Sequence, residues 1–148
     1  MKTGLPNPWI SEMPFHRYLL DTNILSSLLK QPSGMVASRI RSVGEDAICT
    51  SIVVACELRY GAMKKGSSTL TDKVKHLLSA LDVLPLDEDA DEKYAELRTA
   101  LEKAGTPIGA NDYLIAAHAL SLELTLVTNN VGEFSRVPGL RVENWLSP

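Results

Sequence analysis

Three carboxylates in this sequence stand where the residues around them argue for burial. In "YLLDTNILSSLL", Asp21 follows an apolar run and precedes a helix-like segment. In "NDYLIAAHALSL", Asp112 heads a helical stripe whose i+3, i+4 and i+7 members are Ile115, Ala116 and Ala119. In "IVVACELRYGAMKK", Glu57 shares a face with Val53 and Val54 at i−4 and i−3 and with Gly61 at i+4. An isolated buried charge is strongly disfavoured, so each acid must be paired, protonated or bound to a cation. Singly, each has an ordinary explanation: Asp21 as a loop cap, a helix cap through Asn111 or Asp112, a salt bridge from Glu57 to Arg59 or a distant Lys. Three acids from three segments point instead to one cause. Like charges brought close raise one another's pKa unless a cation neutralises them. Ligation by carboxylate oxygens and water suits Mg²⁺ or Mn²⁺ rather than zinc.

The elements that must position these acids alternate along the chain. Strands are expected at "YLL", "AICTS", "DVLPL", "LTLVT" and "LRVENW". Helices are expected at "NILSSLLK", "SGMVASRIRSVG", "IVVACELRYGAMKK", "LTDKVKHLLSAL", residues 89–104 and "NDYLIAAHALSL". Thr22 and Ser51 are the candidate N-caps of the first and third helices, and Gly44 ends the second with a left-handed cap. Alternation of this kind implies right-handed crossovers and an α/β fold with a mostly parallel sheet of about four to five strands, covered on both faces. Ligands of open parallel sheets bind beyond the carboxyl ends of the strands at a topological switch point, which is where Asp21 is expected.

The chain has 148 residues, within the range of one domain of roughly 100–200 residues. Its 45% hydrophobic and 22% charged residues exclude disorder, collagen and a disulfide scaffold. No apolar run approaches the roughly 18 residues that span a bilayer, and the N-terminus lacks the apolar block of a signal peptide, so no membrane association and a cytoplasmic location are expected. Residues 1–16, with Pro6, Pro8 and Pro14, read as a loose arm, with Met13 as an alternative start, and residues 17–148 as a single domain. Cys49 and Cys56 read as small core residues. A net charge of −3 leaves no basic footprint for nucleic acid. Attraction for a polyanion must therefore be local, from a metal-filled acidic pocket or from groups such as Arg59, Lys64 and Lys65.

Four segments carry a family resemblance. "LLDTNIL", "VVACELRYGA", "PIGANDYLIAAHAL" and "LTLVTNNVGEFSRVPGLRVENW" resemble the successive motifs of the PIN domain, and specifically of the VapC toxins of bacterial toxin–antitoxin pairs, across Tyr18 to Trp145. The resemblance implies a three-layer α/β/α sandwich and a metal-dependent ribonuclease. Matched motif by motif, the family's acids fall on Asp21, Glu57 and Asp112, and its fourth position, often aspartate, falls on Asn130. Asn130 removes one charge, and Glu133, one turn further on, is a candidate to share the role. Thr22, Asn23 and Thr128 are candidates for hydrogen bonds that orient these carboxylates. Glu123 stands where the family commonly has Gly, and a left-handed conformation there would cost about 1 kcal/mol.

Phosphodiester hydrolysis needs an activated water, an in-line geometry and neutralisation of developing charge, all of which one or two Mg²⁺ ions can supply. On this reading Asp21, Glu57 and Asp112 hold the metal, Asn130 with or without Glu133 completes its shell or positions the water, and no side chain forms a covalent intermediate. The resemblance further implies cleavage of tRNA or rRNA to inhibit translation, leaving 5′-phosphate and 3′-hydroxyl ends. It also implies a homodimer, a cognate VapB-type antitoxin lying over the groove beside the acids, and promoter DNA bound only through that antitoxin. The alternative is a PIN fold with weakened catalysis that acts by binding, which Asn130 favours and the three acids oppose. A haloacid dehalogenase-like phosphatase would need an aspartate where Asn23 stands, and a response-regulator receiver a lysine where "TNN" stands. His16, His76 and His118 are scattered and read as structural or surface residues, and neither a Walker loop nor a G-x-S-x-G elbow is present.

Overall fold

The computed structural model describes residues 15–147, so the expected arm, apart from Phe15 and His16, and the alternative start at Met13 lie outside the described residues. His16 belongs with the domain, because its Nε2 lies 2.8 Å from Asp82 Oδ2.

Apolar runs form the strands β1 (Tyr18–Leu20), β2 (Ile48–Ser51), β3 (Val83–Leu84), β4 (Thr125–Val127) and β5 (Val142–Glu143). The helices are α1 (Thr22–Lys30), α2 (Met35–Val43), α3 (Ile52–Lys65), α4 (Ser68–Ala80), α5 (Glu88–Lys103), α6 (Ala110–Ser121) and the short α7 (Val131–Phe134). α7 occupies a stretch whose pattern reads only as a turn. The sheet order is β3-β2-β1-β4-β5, and every pair is parallel, with Leu19 opposite both Cys49 and Leu126. This is the expected α/β sandwich. From β1 the chain builds outward through β2 to β3, then returns past β1 to β4 and β5. The switch point therefore lies between β1 and β4, where ligands of such sheets bind.

Core packing follows the two periodicities. The central strands bury Leu19, Leu20, Leu126 and Val127 completely, and α6 buries Ile115, Ala116 and Ala119, the stripe that Asp112 heads. Trp145 closes the far edge, fully buried, with its ring centroid 5.2 Å from that of Tyr18. Among the described residues no helix is long and apolar enough to cross a membrane.

Several details correct the sequence reading. Asp21, not Thr22, caps α1: its extended backbone lets its carboxylate accept the Thr22 N–H at 2.7 Å. Gly44 has the expected positive φ of 94°, but its ψ of 140° lies outside the left-handed helical well. Cys49 is buried, whereas Cys56 is exposed. α3 is apolar on most sides, and its stripe of Ile52, Cys56, Tyr60 and Met63 faces outward. Glu123 adopts the positive φ that its position required, at 56°.

Ser51 has two partners. Its hydroxyl accepts the Val53 N–H at 3.1 Å, capping α3, and lies 2.8 Å from His118 Nδ1 in the core. Burial holds the His118 imidazole below its ordinary pKa against the opposing influence of Asp87 and of the nearby Pro85 carbonyl, which makes no hydrogen bond of good geometry to the ring, so that Nε2 has no partner among the described residues. Ser51→Ala should remove the cap and orphan the second ring nitrogen. The expected loss is about 2 kcal/mol in urea unfolding, with an unchanged m-value.

Candidate active site

The carboxylates meet at the switch point. Asp21 leaves β1, and its backbone N–H continues the sheet ladder to Val127 O at 2.9 Å. Its side chain is 5% exposed and is held from two sides, by the Thr22 N–H and by the Thr128 hydroxyl, which donates at 2.7 Å from the end of β4. Thr128 Oγ1 in turn accepts the Asn130 N–H at 3.0 Å. A single hydroxyl thus fixes both an acid on one side of the switch point and the loop on the other.

Glu57 enters from α3. The Thr22 hydroxyl donates to its Oε1 at 2.6 Å, and Asn111 Nδ2 lies 3.4 Å from its Oε2. Asp112 comes from the first turn of α6, whose N-cap is Gly109 with no side-chain cap bond. The capping explanation of Asn111 and Asp112 is thereby removed. Asp112 instead lies beside Glu133, and the two carboxyl groups influence each other's ionisation.

Electrostatics record the crowding. Burial pushes the Asp112 carboxyl up to about 7, assisted by the charges of Glu133, Asp21 and Glu57 and by the bond to Glu133. Asp21 is also raised, mainly by burial and less by Glu57 and Glu133, while its bonds from Thr128 and Thr22 pull the other way. Burial would raise Glu133 too, but bonds from the Gly109 N–H, Asn130 and Asp112, together with nearby Arg136, bring it below its ordinary value. Among the described residues none of Asp21, Glu57 and Asp112 takes part in an ion pair.

The two candidates for the fourth position, Asn130 and Glu133, lie against each other. The Asn130 amide donates to Glu133 Oε2, and the Gly109 N–H donates to Glu133 Oε1 at 2.7 Å. Thr22 and Thr128 contact the carboxylates; Asn23 is exposed and makes no side-chain hydrogen bond to them among the described residues. Gly109 is a participant that sequence reasoning did not single out, and Asn111, read there only as a helix cap, is another. Gly109 lies so close that a Cβ built on it would stand 3.1 Å from Asp112 Oδ2. The available signal was a glycine three residues before an acid at a helix start. Asn130→Ala should free Glu133 from one of its two fixed donors and lower RNA cleavage by about 10–100-fold, measured as kcat/KM, without unfolding the chain.

As placed, no three His, Cys, Asp or Glu side chains among the described residues are gathered tightly enough to hold an ion. The donor set nevertheless fits a hard cation. Asp21, Glu57 and Glu133, each from a different element, lie within electrostatic reach of Asp112, and hydroxyl and amide groups orient them, the oxygen chemistry that such metal sites use.

The family model described as PIN domain matches residues 18–140. Ribonuclease VapC2 of Rickettsia felis is 40% identical over 130 residues, covering 86% of this chain and 97% of the relative. A protein named tRNA(fMet)-specific endonuclease VapC from Salmonella typhimurium is 35% identical over 130 residues, covering 87% and 98%. The crystal structure of VapBC2 from Rickettsia felis bound to a fragment of promoter DNA superposes with a TM-score of 0.81 at 38% identity, covering 86% of this chain and 98% of that one. With its carboxylates at the sheet's switch point and these relatives matched over nearly their whole length, the chain belongs to the PIN domain family, among the VapC proteins.

Proposed function

We propose that this chain is the toxin of a toxin–antitoxin pair, a metal-dependent endoribonuclease that hydrolyses RNA phosphodiester bonds in the cytoplasm and so inhibits translation. The observation that carries this reading is the convergence of Asp21, Glu57, Asp112 and Glu133 at the switch point of a VapC chain. These four would hold the cation, Mg²⁺ or Mn²⁺, with Asn130 acting through Glu133. The chemistry a hard divalent cation supplies in such a site is activation of a water and neutralisation of charge on the phosphoryl and leaving oxygens. The chain's own part is positioning. Thr128 and Thr22 lock the Asp21 and Glu57 carboxylates, while Gly109 and Asn130 lock Glu133, so little reorganisation is needed when substrate arrives. None of these groups is a nucleophile set beside a base, consistent with direct attack by water. The substrate is tRNA or rRNA, by analogy with the relative named as a tRNA endonuclease.

The binding-module alternative rested on the charge missing at Asn130. Glu133 supplies that charge. A VapB-type antitoxin partner, and promoter DNA reached through it, follow from the DNA-bound VapBC relative. The exposed Ile52, Tyr60 and Met63 of α3 are a surface suited to the expected homodimer.

The test is cleavage of total cellular RNA by the purified full chain, freed of antitoxin, in Mg²⁺ and in EDTA. Discrete fragments with 5′-phosphate ends, made only with the metal, support the reading. A folded protein inert in both Mg²⁺ and Mn²⁺ overturns it.

A further inference from the structure

A second feature adjoins the carboxylates. Between α1, α3 and α4 runs a groove of about 220 Å³, smaller than the roughly 300–1,000 Å³ of drug-sized sites. Thr22 and Glu57, which hydrogen-bond each other, line one end of it, so it opens directly from the acidic cluster. Lys30 and Lys65 line it as well, each eight residues further along the helix from Thr22 and Glu57 respectively, about 12 Å away. Its walls between are apolar, including Leu58, Ala62 and Val74.

Gly61 lies in that wall, in the interior of α3, one turn from Glu57. A glycine inside a helix weakens it relative to alanine. Helix geometry gives no reason for it here: φ is not positive, and a Cβ built on it meets nothing within 4 Å. What its missing side chain preserves is open groove. On a chain of net charge −3, two lysines at one end of a groove whose other end is carboxylate-lined are complementary to a phosphate chain that passes the cleavage site. Nucleic-acid enzymes commonly hold an unstacked base against apolar side chains in such a cavity.

Resting on the ribonuclease reading, we propose that this groove seats an unstacked nucleoside of the RNA next to the cleaved bond. Its base lies over Gly61 against Leu58, Ala62 and Val74, and the next phosphate is drawn to Lys30 and Lys65.

The test compares the full chain with Gly61→Leu and with Lys30→Gln/Lys65→Gln in steady-state cleavage of total cellular tRNA. Leu is a strong helix former entering open space, so Gly61→Leu should melt no lower than wild type while KM rises about tenfold or more and kcat changes little. Gly61→Ala serves as the helix-propensity control and should melt about 3 °C higher. The double lysine variant should raise KM and flatten the dependence of log affinity on log salt by about 0.7 for each lost phosphate contact. That slope is read on a fluorescein-labelled single-stranded RNA bound by Asp112→Asn protein. Wild-type cleavage with unchanged KM and salt slope in the variants overturns the groove assignment and leaves the ribonuclease standing. If those variants instead lose only inhibition by the antitoxin, the groove belongs to the protein partner and the assignment fails. If wild type does not cleave at all, the ribonuclease reading falls and this one falls with it.

Discussion

Asp112→Asn protein should cleave RNA at least about a thousandfold more slowly than wild type while melting at no lower temperature. The activity loss follows from removing one of four convergent carboxylates: several kcal/mol of charge stabilisation is given up, at 1.36 kcal/mol per tenfold in rate. The retained stability follows from the same crowding. Burial and the charges of Glu133, Asp21 and Glu57 push the Asp112 carboxyl up to about 7, so its ionised form is already disfavoured in the fold. A neutral amide of the same shape removes that repulsion and can still donate to Glu133. Opposite movements of activity and stability distinguish a functional acid from a structural one. An active variant, or one that melts many degrees lower, would contradict this assignment. Thermal unfolding and single-turnover cleavage on one preparation suffice.

Divalent cations should stabilise the wild type in the absence of RNA. A ligand that binds only the folded chain contributes RT ln(1 + [L]/Kd), about 2.7 kcal/mol at a hundred times Kd. For a chain of this length that is an upward shift of roughly 5–10 °C in the melting midpoint. Mg²⁺ and Mn²⁺ should both produce it, EDTA should reverse it, and Glu57→Gln and Asp112→Asn should each abolish most of it. Because it is read without substrate, this experiment separates a lost metal site from a lost RNA contact. A full shift retained in both variants would place the cation elsewhere on the chain.

Much of this arrangement is legible in local patterns. The bounds of α3 follow from Ser51 as a cap and Gly66 as a left-handed stop, with φ 67° and ψ 21°, and both are chemical preferences of single residues. Asp112 and Glu57 stand out because the helical period places apolar or small residues on their faces. Asp21 stands out because a carboxylate ends a strand whose residues want burial.

Other features are not local. Asn130 and Glu133 lie in a loop and a four-residue helix, where no period tells one side chain from the other. The placement of Glu133 depends on the Gly109 N–H, 24 residues earlier in the chain. The outward turn of Cys56 depends on which of the apolar sides of α3 finds the sheet. The groove beside Glu57 exists only because α1, α3 and α4 pack around Gly61.

Residue spacing, capping chemistry and alternation are enough to name the acids and the order of the elements, since these are properties of a few neighbouring residues. The meeting of Asp21, Glu57, Asp112 and Glu133 is not such a property. It arises because the chain crosses from β3 past β2 and β1 so that β4 pairs on the far side of β1, bringing Thr128 within 2.7 Å of an aspartate 107 residues away. Pairing over that separation is set by burial of the whole sheet, a condition that no single stretch of the chain expresses.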